Sequence, residues 1–257
     1  MRLLILLIIF VISEASHKKG VAVSGGDAYM CGDEEAFTNI NWWYDYHMSP
    51  WEHHSKNCSD TVKSGYVPMI WGWKPGPIYF YHDAQYVLGF NEPNIAVQAN
   101  MTPHDAAIHW KTIESKAQGK VLVSPAVAPC THCSLDPFHW LDQFFQHCSD
   151  CKVDHIATHA YWCNANHTMS YLKQLWDRYH KPIWLTEFAC PHTLSTNTQL
   201  EFMREILPKL EHASYVYRYS WFNSRRTGNA HTTTAVSLLH QDSPHLTTIG
   251  QYYNNFI

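Results

Sequence analysis

Two glutamates in this 257-residue chain stand where an extended, apolar run of residues stops. The first lies in Leu88-Gly89-Phe90-Asn91-Glu92-Pro93-Asn94, the second in Ile183-Trp184-Leu185-Thr186-Glu187-Phe188. Pro93 has no N–H to give a sheet ladder, so pairing finishes there and leaves Glu92 at the rim. A lone glutamate at a strand end is usually a rim carboxylate, a salt-bridge partner or a helix cap. A pair at one rim is different. Glycosidic cleavage needs a proton donor for the leaving oxygen and a carboxylate on the other side of the anomeric carbon. Where that carboxylate attacks directly, the two sit about 5–5.5 Å apart, and unlike surroundings keep one protonated and the other ionised. Asn91 suits a sugar 2-hydroxyl, whose hydrogen bond strengthens in the oxocarbenium-like transition state.

The elements that must bring the two together are eight apolar runs rich in β-branched and aromatic residues. They are 20–24, 37–46, 66–71, 86–91, 120–127, 153–161, 182–188 and 215–222. In the second half they alternate with helical patterns. Thr102-Pro103 with Asp105 opens one, stopped at Gly119; Asp136-Pro137 opens another. Met169, Leu172, Leu175, Trp176 and Tyr179 mark a third, and Leu200, Met203, Ile206 and Leu210 a fourth, expected to kink at Pro208. Pro75, Gly76 and Pro77 give no helix in the first half. The expected fold is α/β, a (β/α)8 TIM barrel with reduced helices in the first half, as one domain over 16–257. Glu92 then falls on the fourth strand and Glu187 on the seventh, both at the face where barrels do chemistry.

His159 and Tyr161 end the sixth run two residues apart, hence on one strand face. Tyr161 is expected to donate to Glu187 and help keep it ionised, and His159 to bind a sugar hydroxyl or to be a satisfied core residue. Trp221, ending the eighth run, is the first choice for a flat subsite floor. Trp43, Tyr44, Trp71 and Trp73 end the second and third runs and are expected to line more distant subsites.

Met1-Arg2, the apolar stretch Leu3–Ile12 and Ser13-Glu14-Ala15 read as a signal peptide cleaved after Ala15. Secretion is the expected localisation, without a membrane anchor. N-glycosylation sequons at Asn57, Asn100 and Asn166 agree with that route. Eight cysteines in an oxidising compartment favour disulfides over a zinc site built from Cys130-x-x-Cys133 and Cys148-x-x-Cys151. Connectivity is not legible from sequence, but Cys31 with Cys58 and Cys163 with Cys190 are the expected pairs, the other four pairing among themselves. A net charge of −4 with 16% charged residues gives no nucleic-acid surface. The expected partner is a polysaccharide or oligosaccharide, bound by a monomer without cofactor or metal; no H-E-x-x-H, G-x-G-x-x-G, Walker loop or G-x-S-x-G elbow is present.

Asn-Glu on strand four with Glu on strand seven resembles the clan A glycoside hydrolases, in which the former is acid/base and the latter nucleophile. Leu-Gly-Phe-Asn-Glu-Pro-Asn, Ser124-Pro125-Ala126, Cys148-Ser-Asp-Cys151-Lys-Val-Asp, His159-Ala-Tyr161 and Trp184-Leu-Thr-Glu187-Phe188 are similar to glycoside hydrolase family 128, in order from about Gly20 onward. That resemblance implies a retaining, metal-free β-1,3-glucanase with Glu92 as acid/base and Glu187 as nucleophile. Residues 163–166 and 189–192 depart from the shorter loops of fungal members. A catalytically silent glucan-binding protein on the same barrel, and a hydrolase of another β-glycan, are the alternatives.

Overall fold

The computed structural model describes residues 16–58, 61–228 and 230–257; the expected signal peptide, 1–15, lies outside the described residues. Parallel strands β1 (Lys19–Ala22), β2 (Trp42–Tyr44), β3 (Tyr86–Leu88), β4 (Val121–Val123), β5 (Ile156–Ala160), β6 (Ile183–Phe188) and β7 (Val216–Phe222) carry the sheet. Five pair in the order β2-β1-β7-β6-β5, and β3 pairs with β4. Isolated parallel bridges join the two groups. Trp43 meets Tyr66 and Met69 meets Leu88 on one side, and Val123 meets His155 and Val127 meets Thr158 on the other. Followed round, the pairing returns to β1, as in a (β/α)8 barrel.

The third expected strand, 66–71, is therefore in place but holds only single bridges. Pro68 is the reason: it lacks the N–H that would continue a ladder, though its carbonyl still accepts from Leu88 N at 2.9 Å. The helices follow the expected asymmetry. Among the described residues, α1 (Trp51–Ser55) is the one α-helix before β3, while α2 (Pro103–Lys116), α3 (Pro137–His147), α4 (Ala165–Tyr179) and α5 (Thr196–His212) each separate two strands, and α6 (Thr248–Asn255) follows β7. Thr102 and Asp136 cap α2 and α3 through their side-chain oxygens, with proline in the first turn of each. α5 runs unbroken through Pro208.

Strand alternation divides the core in two. Ala22, Trp42, Tyr44, Leu88, Val123, Ala157 and Trp184 fill the barrel, while Val21, Trp43, Ile156, Leu185 and Trp221 pack outward in the helix layer. At Gly89 an added Cβ would lie 2.7 Å from Pro125 N and 2.8 Å from the Trp110 ring, so only glycine lets the chain beyond β3 approach that beyond β4.

The cysteines form four pairs, Cys31–Cys58, Cys130–Cys133, Cys148–Cys151 and Cys163–Cys190. Each C-x-x-C thus closes on itself. Asn57, Asn100 and Asn166 are all exposed.

Candidate active site

The chain leaves β3 through Asn91, whose backbone bridges Ala126, and Glu92 N donates to Ala126 O at 2.9 Å. Glu92 then takes a left-handed backbone, φ 42°, a conformation that costs a non-glycine residue on the order of 1–3 kcal/mol and gathers at functional sites. Asn94 holds the turn: its amide donates to Ala128 O at 2.8 Å and Leu135 O at 3.1 Å, tying the loop after β3 to the loop after β4.

Glu187 reaches the same cleft by a bulge. On β6, Trp184 points into the barrel, so plain alternation would send Glu187 outward. But Thr158 pairs with Leu185 while His159 pairs with Glu187, which makes Thr186 an extra residue and turns Glu187 inward and Phe188 outward. Buttresses hold the extra residue, since its carbonyl accepts from Tyr44 Oη at 2.9 Å and from Ser220 Oγ.

Both carboxylates open into a cleft of about 840 Å³ at the C-terminal ends of the strands. His159, fully buried, lies between them, its Nδ1 2.7 Å from Glu92 Oε1 and 3.4 Å from Glu187 Oε2. Glu187 accepts further from Tyr46 Oη at 2.8 Å on Oε1, and from Tyr161 Oη on Oε2. Burial pushes the Glu187 carboxyl above its ordinary range; His159 pulls it down, Glu92 raises it, and Tyr161 and Tyr46 pull it down. For His159, burial lowers the imidazole, but the charge of Glu187 and the hydrogen bond it donates to Glu92 outweigh it and the net shift is upward. The phenols of Tyr46 and Tyr161 are held well above their usual range, first by burial and then by Glu187, so they stay protonated as donors.

Glu92, His159 and Glu187 each offer a ligand atom within 4.8 Å of the others, the set among the described residues close enough to hold a metal ion.

Of the residues expected from sequence, Asn91, Glu92, His159, Tyr161 and Glu187 line the cleft together. His159 faces the two carboxylates with Nδ1, and its buried Nε2 is without a partner. The expected aromatic floor is elsewhere. Trp221 is fully buried on the helix side of β7, against Phe188, with its indole N–H on Val236 O at 2.8 Å; Phe222, one residue on, faces the cleft instead. Trp43 is also buried outside the barrel, donating to Lys63 O at 3.0 Å. Tyr44 is spent on Thr186. Trp73 stacks on His109 of α2 at 4.0 Å, and Trp71 is part-exposed beside Asn91, whose N–H donates to its carbonyl. Tyr46, Phe222, Asn223 and His231 are cleft residues that the sequence reading did not single out. Tyr46 carried a signal: it stands two residues beyond Tyr44 at the end of the second run.

Comparisons with known proteins agree with this geometry. Residues 20–253 match the family described as glycosyl hydrolase catalytic core. The chain is 31% identical over 223 residues to alkali-sensitive linkage protein 1 of Schizosaccharomyces pombe, covering 82% of this chain and 39% of that protein. It therefore spans about two-fifths of that relative's length. A family 128 (subgroup II) endo-β-1,3-glucanase from Sorangium cellulosum superposes with a TM-score of 0.77 at 32% identity, over 93% of this chain and 98% of that one. A subgroup I endo-β-1,3-glucanase from Amycolatopsis mediterranei, in complex with laminaritriose, gives 0.71 at 27% identity over 93% and 99%. A subgroup III curdlan-specific exo-β-1,3-glucanase from Blastomyces gilchristii, in complex with glucose, gives 0.73 at 26% over 95% and 100%. With the match running over almost the whole barrel that carries both inward carboxylates, the chain belongs to the glycosyl hydrolase catalytic core family, among the family 128 glycoside hydrolases.

Proposed function

We propose that this chain hydrolyses β-1,3-glucosidic bonds with retention of anomeric configuration, as a secreted single-domain enzyme over 16–257. The observation that carries the reading is the gap between the carboxylates. One oxygen of Glu92 and one of Glu187 lie within 4.8 Å of each other, and His159 Nδ1 touches both carboxylates. Inverting enzymes keep about 6.5–9.5 Å for an intervening water, whereas direct attack works at about 5–5.5 Å. The similar structures, named as β-1,3-glucanases, supply the linkage.

In the first step a Glu187 oxygen bonds to the anomeric carbon as the glycosidic C–O bond breaks, and Glu92 gives its proton to the departing oxygen. In the second, Glu92 takes a proton from water, the water oxygen bonds to the same carbon, and Glu187 leaves as carboxylate. Tyr46 and Tyr161 favour Glu187 as the charged group in the resting state, and Asn91 holds the sugar 2-hydroxyl. The four cysteine pairs and the exposed Asn57, Asn100 and Asn166 fit a secretory route with N-linked glycans at those asparagines. The test is incubation with laminarin-type glucan, following reducing ends and the anomer of the first product by NMR. New ends carrying the β-anomer are expected. An α-anomer would overturn the retaining mechanism. Binding without release would mark a catalytically silent glucan-binding protein.

A further inference from the structure

Among the described residues, four buried side-chain atoms have no hydrogen-bond partner: Asn91 Oδ1, Glu114 Oε2, His159 Nε2 and Asn223 Oδ1. Buried polar groups are nearly always partnered, because leaving one dry forfeits its hydration for nothing in return. Three of these four atoms belong to residues lining the one cleft that holds the carboxylates. Asn91 and His159 flank Glu92, the first assigned to the sugar 2-hydroxyl and the second touching both carboxylates through Nδ1. Asn223 has no such assignment.

Asn223 follows Phe222 at the end of β7, the strand that pairs with the β6 carrying Glu187, and is 5% exposed. Its backbone is fixed from several sides. Leu238 N donates to Asn223 O at 3.3 Å, and Ser224 N donates to Ala22 O at 2.9 Å. Two residues on, the buried Arg225 guanidinium grips Asp33 with both terminal nitrogens. The amide is thus held in place by a rigid segment, yet its oxygen meets no donor from the protein. Beside it the Phe222 ring stands edge-on to Tyr161 at 5.8 Å, next to the phenol that donates to Glu187.

We propose that Asn223 is a substrate-binding residue whose amide oxygen accepts a hydrogen bond from a hydroxyl of the sugar ring lodged beside Glu187, with Phe222 as the apolar face next to it. This rests on the cleft being the glycan site. A site with a buried acceptor discriminates against a ring lacking the matching hydroxyl, because the acceptor then stays unpaired. Asn223 is accordingly a specificity residue, reading the presence and orientation of one hydroxyl.

The experiment measures kcat/KM for the wild type and Asn223→Ala on laminaritetraose and its monodeoxy analogues, with thermal unfolding of both proteins. Wild-type turnover of the parent sugar reads the function proposed above; the ratio between the two proteins reads the role of Asn223. The expected result is a fall of about 10- to 100-fold in kcat/KM for Asn223→Ala with Tm unchanged or raised. One monodeoxy sugar should lose a similar factor with the wild type and nothing further with the variant. A variant within twofold of wild type would overturn the proposal. So would equal losses for every deoxy sugar in both proteins, or a fall in Tm that accounts for the lost activity.

Discussion

The two catalytic candidates are built by different means. Glu187 sits inside the sheet, on a bulge in β6, enclosed and met by Tyr46, Tyr161 and the imidazole of His159. Glu92 stands past the end of β3 on a left-handed backbone, with the shared imidazole as its hydrogen-bond partner. One carboxylate is clamped by donors that favour charge; the other is held by its backbone and by the shared imidazole. That contrast suits a nucleophile, which must be ionised and aimed, and an acid/base, which must gain and lose a proton every turnover.

The largest test of the contrast is substitution at each glutamate. Glu187→Gln should lower kcat on laminari-oligosaccharides by roughly 10⁴-fold or more, with oligosaccharide binding retained in calorimetry, since it removes the oxygen that bonds to the anomeric carbon. Full turnover in that variant would sink the mechanism. Glu92→Gln should cost about 10²–10⁴-fold on the same sugars, the usual worth of a general acid. On an aryl β-glucoside whose leaving group departs without a proton, its first step should run close to wild type. An equal loss on both substrates would mean that Glu92 does something other than protonate.

How these positions could be read beforehand differs between the two. Pro93 stops a ladder wherever it stands, so Glu92 at a strand end was legible from composition alone. Glu187 was legible as a strand-end residue, but its inward direction was not. Trp184 fills the barrel, and a period of two would have sent Glu187 to the helices. Only the bulge at Thr186, which depends on the register between β5 and β6, corrects it. The same blindness to direction explains Trp221. Its type suits a sugar platform, but on β7 it faces α5 and α6, and the smaller ring of Phe222 takes the cleft side. Tyr46 was hidden for a further reason. It approaches Glu187 across the barrel from a residue 141 positions away, with φ 70°, and no local pattern encodes such a meeting. The helices of the second half were the plainest feature, because Thr102 and Asp136 announce their starts by capping chemistry that acts over three residues.

If the donors around Glu187 are what separate it from Glu92, removing them should move its titration. Tyr161→Phe and Tyr46→Phe each delete one hydrogen bond to the charged form. The Glu187 carboxyl should then rise further, and the acidic limb of kcat/KM against pH should shift to higher pH. Each variant should lose about 10-fold at the wild-type optimum, the worth of one hydrogen bond to a charged group. The doubly substituted protein should shift the limb further than either. A limb that stays put while activity falls would mean that the phenols act on the sugar and not on the nucleophile.

The smallest effect is one of stability, and it has the opposite sign to the loss of activity. Burial holds the Glu187 carboxyl above its ordinary value, so the folded protein binds that proton more tightly than the unfolded chain does. The associated stability is fully present below the unfolded pKa, about 4.3, and is lost as pH rises through the folded value. At neutral pH the enclosed charge therefore costs the fold something, and Glu187→Gln, which keeps the shape and drops the charge, should raise Tm. With about 2–4 °C per kcal/mol for a domain of this size, the gain should be a few degrees at pH 7. It should shrink toward zero at about pH 3, below the unfolded pKa, where wild-type Glu187 is protonated in both states. A variant less stable than wild type at pH 7 would show that Tyr46, Tyr161 and His159 more than offset the burial of Glu187. The clamp would then be a stabilising network in its own right, not a charge held in place at a cost to the fold.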